Sequence, residues 1–335
     1  MNLKEFSKKT GIPISTISKA LGNYKDVSVG TREKIIALAK QYNYVPNLYA
    51  KTLASGTTSS VGWVLPLSFS HIQKLTLINF IQKIHSNLNA ANIPVVMIFA
   101  KDKKEEIEAY EKLINFYKVR LILLNDIRKN DHRIKYLDSK GIGYITWGRC
   151  GKDPKSYSWI DEDIEYGSDL AVEYLLSKGH RKIGYMDATS KVNYFLLRKK
   201  FFVKSLQKNN IIINDNFFLD VFHDQKKSKL RVKEFIKDNK EVTVLLVSSH
   251  TFATYAIDAC RELNREIGRE LSLVSFDADV LSTFSPHVTT ISQPVDAVTK
   301  HLVKLIESKI KYMGKNYQFL YKPKLIERKS VSKIS

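Results

Sequence analysis

Cysteine is nearly absent: Cys150 and Cys260 are the only two in 335 residues, far apart and without a neighbouring cysteine or histidine. Neither a disulfide framework nor a zinc site is indicated, and a reducing compartment is implied. No apolar run approaches the roughly 18 residues that a membrane span requires. Residues 1–10 contain no apolar stretch of the kind that opens a secretory signal. The expectation is a cytoplasmic protein, neither exported nor inserted. Glycine loops that cradle phosphates, of the GxxxxGK[ST] or GxGxxG kind, are also missing. No metal site and no cofactor are expected.

What is there is apolar substance and positive charge. Apolar residues make up 44% of the chain, enough for a proper core, and the length suits a small domain joined to a large one. The net charge is +20, which favours polyanions such as nucleic acid. Residues 1–60 hold nine Lys/Arg against three Asp/Glu, so +6 lies in the head and +14 in the remaining 275 residues. Basicity is denser at the head without being confined to it.

In the head, Leu3 and Phe6 share a helical face, Gly11-Ile12-Pro13 interrupts the pattern, and Ile17, Ala20 and Leu21 resume it. A third helix begins at Ser28, a plausible N-cap, and runs to about Tyr42 with Ile35, Leu38, Ala39 and Tyr42 on one face. Three short helices around one core make a helix-turn-helix unit. With Ile17, Ala20 and Leu21 inward, Ile14, Ser15, Ser18 and Lys19 project outward near the start of the second helix, where side chains reach base edges in a major groove. A plain three-helix packing module with a solvated polar face is the alternative.

The segment from Leu3 (LKEFSKKTGIPISTISKAL), then Val27-Ser-Val-Gly-Thr-Arg-Glu-Lys-Ile and Tyr44-Val-Pro-Asn, resembles the LacI/GalR repressor family. The resemblance implies that Ile14, Ser15 and Lys19 read the operator's major groove and that Ser28 belongs to a phosphate-anchoring region. Pro13 departs from the family, which usually has a serine capping the recognition helix there. Losing such a cap costs about 1 kcal/mol, and proline in a helix's first turn offsets part of it by preorganising the backbone.

Pro46 opens Asn47-Leu-Tyr-Ala-Lys-Thr-Leu-Ala-Ser, which ends at Gly56. Two turns of helix are marginal in water and need a packing partner. The resemblance implies a hinge helix that folds against its dimer mate on DNA, with Asn47 and Ala50 at the interface and Leu53 as a wedge in the minor groove. A flexible linker is the alternative. Coupling between hinge folding and DNA binding is what lets a distant ligand control affinity.

From Val61 onward strand-like runs alternate with helical stretches: Val61–Leu65, Val95–Phe99, Leu121–Leu124, Lys182–Met186, Val242–Val247 and Leu271–Phe276. That is the pattern of parallel α/β sheets, whose ligands sit beyond the carboxyl ends of the strands. The resemblance extends here through Trp159-Ile-Asp-Glu-Asp, the stretch from Ala171 to Tyr185, Arg198 to Leu206, Val274-Ser-Phe-Asp and Thr289 to Pro294.

It implies the fold class as a whole: an N-terminal all-α, lambda-repressor-like helix-turn-helix domain plus a two-lobed α/β domain of the type I periplasmic-binding-protein kind. The expected division is 1–45 for the head, 46–60 for the hinge, and 61–335 for effector binding and dimerisation. Within the last, one lobe takes 61–160 and 292–320, and the other 161–291 and 321–335. By matching positions, Arg198 and Asp277 bind the effector, Ser68, Phe69, Asn125, Trp147 and Gln293 fall near pocket-lining positions, and Ser249 counts with the effector-binding residues. An Arg and an Asp facing each other suit a polyhydroxyl ligand; an interlobe ion pair is the alternative, and Trp147 can equally be plain core. Ser249-His250 stands where the family commonly has Asn-Asp, and Ala278 where a second Asp is usual, so the pocket chemistry has drifted.

The function expected is a DNA-binding transcriptional regulator, a repressor, binding a palindromic operator as a homodimer or a pair of dimers and switched by a sugar-like effector. The alternatives are control by a protein co-repressor or by an anionic, phosphorylated ligand. Catalysis is not expected: Asp161, Glu162 and Asp163 look like paired carboxylates and Ser249-His250 like part of a nucleophilic site, yet neighbours on one segment point apart. A solute-binding transport protein has no use for the head.

Overall fold

The computed structural model describes residues 1–22, 24, 26–44, 60–67, 71–222, 224–276 and 287–334, with the side chains of 71–77 excepted. The head comprises α1 (Leu3–Thr10), α2 (Ile14–Leu21) and α3 (Val29–Gln41). Asn2 and Glu5 close the start of α1 by reciprocal side-chain to backbone bonds. Gly11, at φ 68°, ends that helix in the left-handed region, where a Cβ would be strained. Ser28 caps α3, its Oγ accepting from the Thr31 amide at 3.3 Å.

Phe6, Ile17, Ala20, Ile35 and Ala39 bury together as their spacing predicts, with Leu3, Leu21 and Leu38 packed against them. Tyr42, expected on that inward face, is instead 37% exposed and meets Phe6 only edge-on. Tyr44 completes the core, stacked on Phe6 at 4.4 Å. Asn43 enters the left-handed region at φ 49° and turns the chain back over the helices.

In chain order the body consists of β1 (Val61–Pro66), α4 (His71–Ala90), β2 (Val95–Ala100), α5 (Lys103–Glu111), β3 (Leu121–Leu124), α6 (His132–Ser139), β4 (Gly143–Trp147), β5 (Ser158–Glu162), α7 (Ile164–Ser177), β6 (Ile183–Ala188), α8 (Asn193–Lys208), β7 (Phe218–Val221), α9 (Gln225–Asp238), β8 (Val244–Val247), α10 (His250–Glu262), β9 (Ser272–Phe276), β10 (Thr289–Ser292), α11 (Val295–Lys311), β11 (Gln318–Tyr321) and β12 (Lys324–Ile326).

Two six-stranded sheets result. The first runs β11-β5-β4-β3-β1-β2 with every pair parallel. The second runs β12-β10-β9-β8-β6-β7, parallel except where β12 meets β10. Each sheet is covered on both faces, which is why its central strands are apolar at successive positions. Val61, Trp63, Leu121 and Leu123 face one cluster with α4 and α11, while Val64, Ile122 and Leu124 face another with α5 and α6. In the second sheet Tyr185, Leu246 and Val274 pack toward α7 and α8, and Met186, Leu245 and Leu273 toward α9 and α10.

The chain crosses between sheets after Glu162, after Ser292 and after Tyr321. The lobe boundaries expected at 160, 291 and 320 therefore fall inside β5, β10 and β11, because each strand is completed before the crossing. Six strands carry the runs foreseen above; β4, β5, β7, β10, β11 and β12 do not. Among the described residues no helix is long and apolar enough to cross a membrane.

Candidate nucleic-acid interface and effector cleft

On α2, helical periodicity separates a buried face from an open one. Ile17 and Ala20 are buried, while Ile14, Ser15, Ser18 and Lys19 are exposed, Ile14 by 40% despite its apolar side chain. Pro13 occupies the cap position itself rather than the first turn, with no side-chain bond to the helix start. Its carbonyl begins the ladder by accepting from the Ile17 amide at 3.0 Å. The backbone amides at that end stay available to an outside acceptor. Lys19 Nζ sits 2.6 Å from Asp26 Oδ2, a partner that spacing did not predict. Ser28 is exposed at the start of α3. The expected hinge contacts Asn47, Ala50 and Leu53 lie outside the described residues.

The cleft lies where the carboxyl ends of the strands from both sheets converge. A cavity of about 210 Å3, open solvent included, is lined by Ile127, Trp147, Arg149, Asp161, Asn193 and Tyr194 among others. Trp147, at the end of β4, packs edge-on against Phe80 at 4.6 Å and directs Nε1 at the Tyr321 hydroxyl, 3.5 Å away. Arg149 Nε donates to Asp161 Oδ2 at 2.7 Å. Burial pushes the Asp161 carboxyl above its usual range, and Arg149 draws it back.

Several bonds tie the first sheet's loops to α8. The Asn193 amide donates to the Ile127 carbonyl at 2.7 Å, its Nδ2 donates to the Arg149 carbonyl at 2.8 Å, and Arg128 bridges Val192. Arg198, on α8, is 1% exposed. Its Nη2 donates to Glu162 Oε2 at 2.7 Å and its Nη1 to the Ser248 carbonyl at 2.6 Å, with the guanidinium carbon 4.6 Å from the Phe276 ring centre. Ser248 Oγ in turn donates to Asp187 Oδ1 at 2.7 Å.

Of the other expected effector residues, Asn125 Oδ1 accepts from Trp63 Nε1 at 2.9 Å and its Nδ2 donates to Asp126 at 2.8 Å. Ser249 is 6% exposed and caps α10. Gln293, half-buried, follows β10. Ser68, Phe69 and Asp277 lie outside the described residues. Trp147 is the one described member of the expected set that lines the cavity, beside Arg149, Asp161 and Asn193, which no sequence signal had marked as a group. A strand ending in consecutive carboxylates, Asp161-Glu162, was the available clue. Among the described residues no three His, Cys, Asp or Glu groups are placed to hold a metal ion.

Residues 2–47 match the family of bacterial regulatory proteins, lacI family, and residues 172–331 match the periplasmic binding protein-like domain. The regulator AglR of Rhizobium meliloti (strain 1021) is 25% identical over 337 residues, covering 98% of this chain and 94% of that protein. Two solved structures share the fold at 20% identity. The CelR–cellobiose complex has a TM-score of 0.73, covering 98% of this chain and 99% of its own. The lac repressor dimer bound to operator and the anti-inducer ONPF has a TM-score of 0.74, covering 99% of each. The paired match of head and body, in this order on one chain, gives this protein a lacI-family helix-turn-helix head and a periplasmic-binding-protein-like body, and its relatives are transcriptional regulators.

Proposed function

We propose that this regulator is a repressor that binds a palindromic operator as a homodimer, and that a sugar or sugar derivative seated between the two lobes sets its affinity for DNA. Residues 1–45 read the site, 46–60 form the hinge and 61–335 bind the effector and the dimer mate. The observation that carries this reading is an exposed face of α2, Ile14, Ser15, Ser18 and Lys19, on the same chain as a cleft bridged by Arg198 and Glu162. A face so placed suits a major groove.

A cleft whose walls are joined by a few hydrogen bonds suits a ligand-set opening, because a ligand shifts the balance by whatever it gains in one state over the other. Two structural neighbours carry the ligands this reading requires, cellobiose in one and operator DNA with an anti-inducer in the other.

The test is binding of the full chain to a palindromic duplex selected from a random library, against a shuffled duplex at moderate salt. Two protomers per selected duplex and a large preference over the shuffled one are expected. A sugar that raises the melting temperature and alters that affinity identifies the effector class. Equal affinity for both duplexes overturns the reading.

A further inference from the structure

A carboxylate stands beside the exposed face of α2. Asp26 Oδ2 lies 2.6 Å from Lys19 Nζ, both side chains being about half exposed. Described residues on either side of Asp26 are tied down by their backbones. Arg32 Nη2 donates to the carbonyls of Tyr24 at 2.7 Å and Val27 at 3.3 Å, the Tyr24 amide donates to the Lys19 carbonyl at 3.1 Å, and Ser28 caps the next helix. Stability does not account for the pair, since exposed ion pairs contribute little. Affinity for phosphate does not either, because a carboxylate repels it.

Base edges supply the missing complement. A lysine ammonium has three donors and a carboxylate about four acceptor sites, so each keeps capacity after bonding the other. Side by side they present a donor and an acceptor to the groove. The major-groove edge of a G·C pair presents the reverse, acceptors on guanine and an N4–H donor on cytosine. Guanine O6 and cytosine N4 are hydrogen-bonded to each other at about 2.9 Å, close to the 2.6 Å between Lys19 Nζ and Asp26 Oδ2.

We propose that Asp26 is a specificity-determining residue that reads one G·C pair per half-site jointly with Lys19, Lys19 donating to guanine and Asp26 accepting from cytosine N4–H. On a duplex offering only phosphate or base acceptors at that point, the same carboxylate weakens binding. This rests on α2 being the major-groove element, as proposed above.

The test uses the full chain, its selected duplex, every single base-pair replacement of that duplex, and a shuffled duplex, all at one salt concentration. Asp26→Ala is expected to reduce the preference at one G·C position by about 5- to 150-fold and to tighten binding to the shuffled duplex. Asp26→Asn, nearly the same shape, is expected to tighten shuffled binding likewise. An unchanged preference at every position, or equal weakening on selected and shuffled duplexes, overturns the proposal. If Lys19→Ala relaxes a base preference while both Asp26 variants behave as wild type, the reading of α2 stands and the role of Asp26 fails. If wild type prefers no duplex, both fail together.

Discussion

Asp187, at the carboxyl end of β6, is 3% exposed. It accepts from Ser248 Oγ and from the Ala188 amide, each bond shorter than 3 Å. Burial outweighs these bonds and raises its carboxyl pKa to about 6. The folded chain therefore holds this proton more tightly than the unfolded one. The group's contribution to stability is full below about pH 4, falls as pH rises toward about 6, and stays lost above. Asp187→Asn keeps the accepting oxygen and removes the charge. It should melt higher than wild type at pH 7.5, by a stability difference bounded near 3 kcal/mol, and the gap should close by pH 4. A gap independent of pH contradicts this.

At the reading face, Lys19→Ala should relax preference for one base pair in each half-site by about 1–3 kcal/mol. Affinities for a panel of single-replacement duplexes check it, and an equal loss on all of them contradicts base readout. The consecutive carboxylates at the end of β5 divide their work: Asp161 pairs with Arg149, Glu162 with Arg198, and Asp163, just beyond the strand, caps α7 by accepting from the Tyr166 amide. Strand alternation sends Asp161 and Glu162 to different partners.

Among elements, α3 shows the most direct route from residue to structure. Ser28 accepts from the Thr31 amide, so Ser28→Ala should destabilise the head by about 1 kcal/mol, read as a lower denaturant midpoint for head unfolding. No change would mean that solvent caps the helix as well. The head was legible because each helix carries local signals: Asn2 with Glu5, Gly11, Ser28, and apolar residues at helical spacing. In the body, only strands with continuous apolar runs announced themselves. β10, Thr289–Ser292, is buried throughout, but Thr and Ser make it look like a loop. Its hydroxyls are satisfied by neighbours remote in sequence, such as Thr290 Oγ1 accepting from Arg328. Local pattern does not encode such partners.

For the whole molecule, the Arg198–Glu162 pair matters because its two halves come from different sheets. Glu162 ends β5 of the first, and Arg198 rides on α8 beside the second. Both are under 5% exposed, so truncating one leaves the other charged and buried. Arg198→Ala should lower stability by about 3–5 kcal/mol. Adding Glu162→Gln should recover part of that loss, measured by thermal unfolding. Additive losses in the double variant would show that the pair is not coupled.

Composition and local pattern by themselves determined the three-helix head, the outward face of α2, the α/β class of the body and the absence of signals for disulfides, because these depend on residues close in the chain. Tertiary structure alone decided that Arg198 meets Glu162 and that Asn193 bonds to the loops of the first sheet. The reason is that such contacts form where strands and helices distant in sequence end at one place, and their geometry follows from sheet order rather than from any one segment.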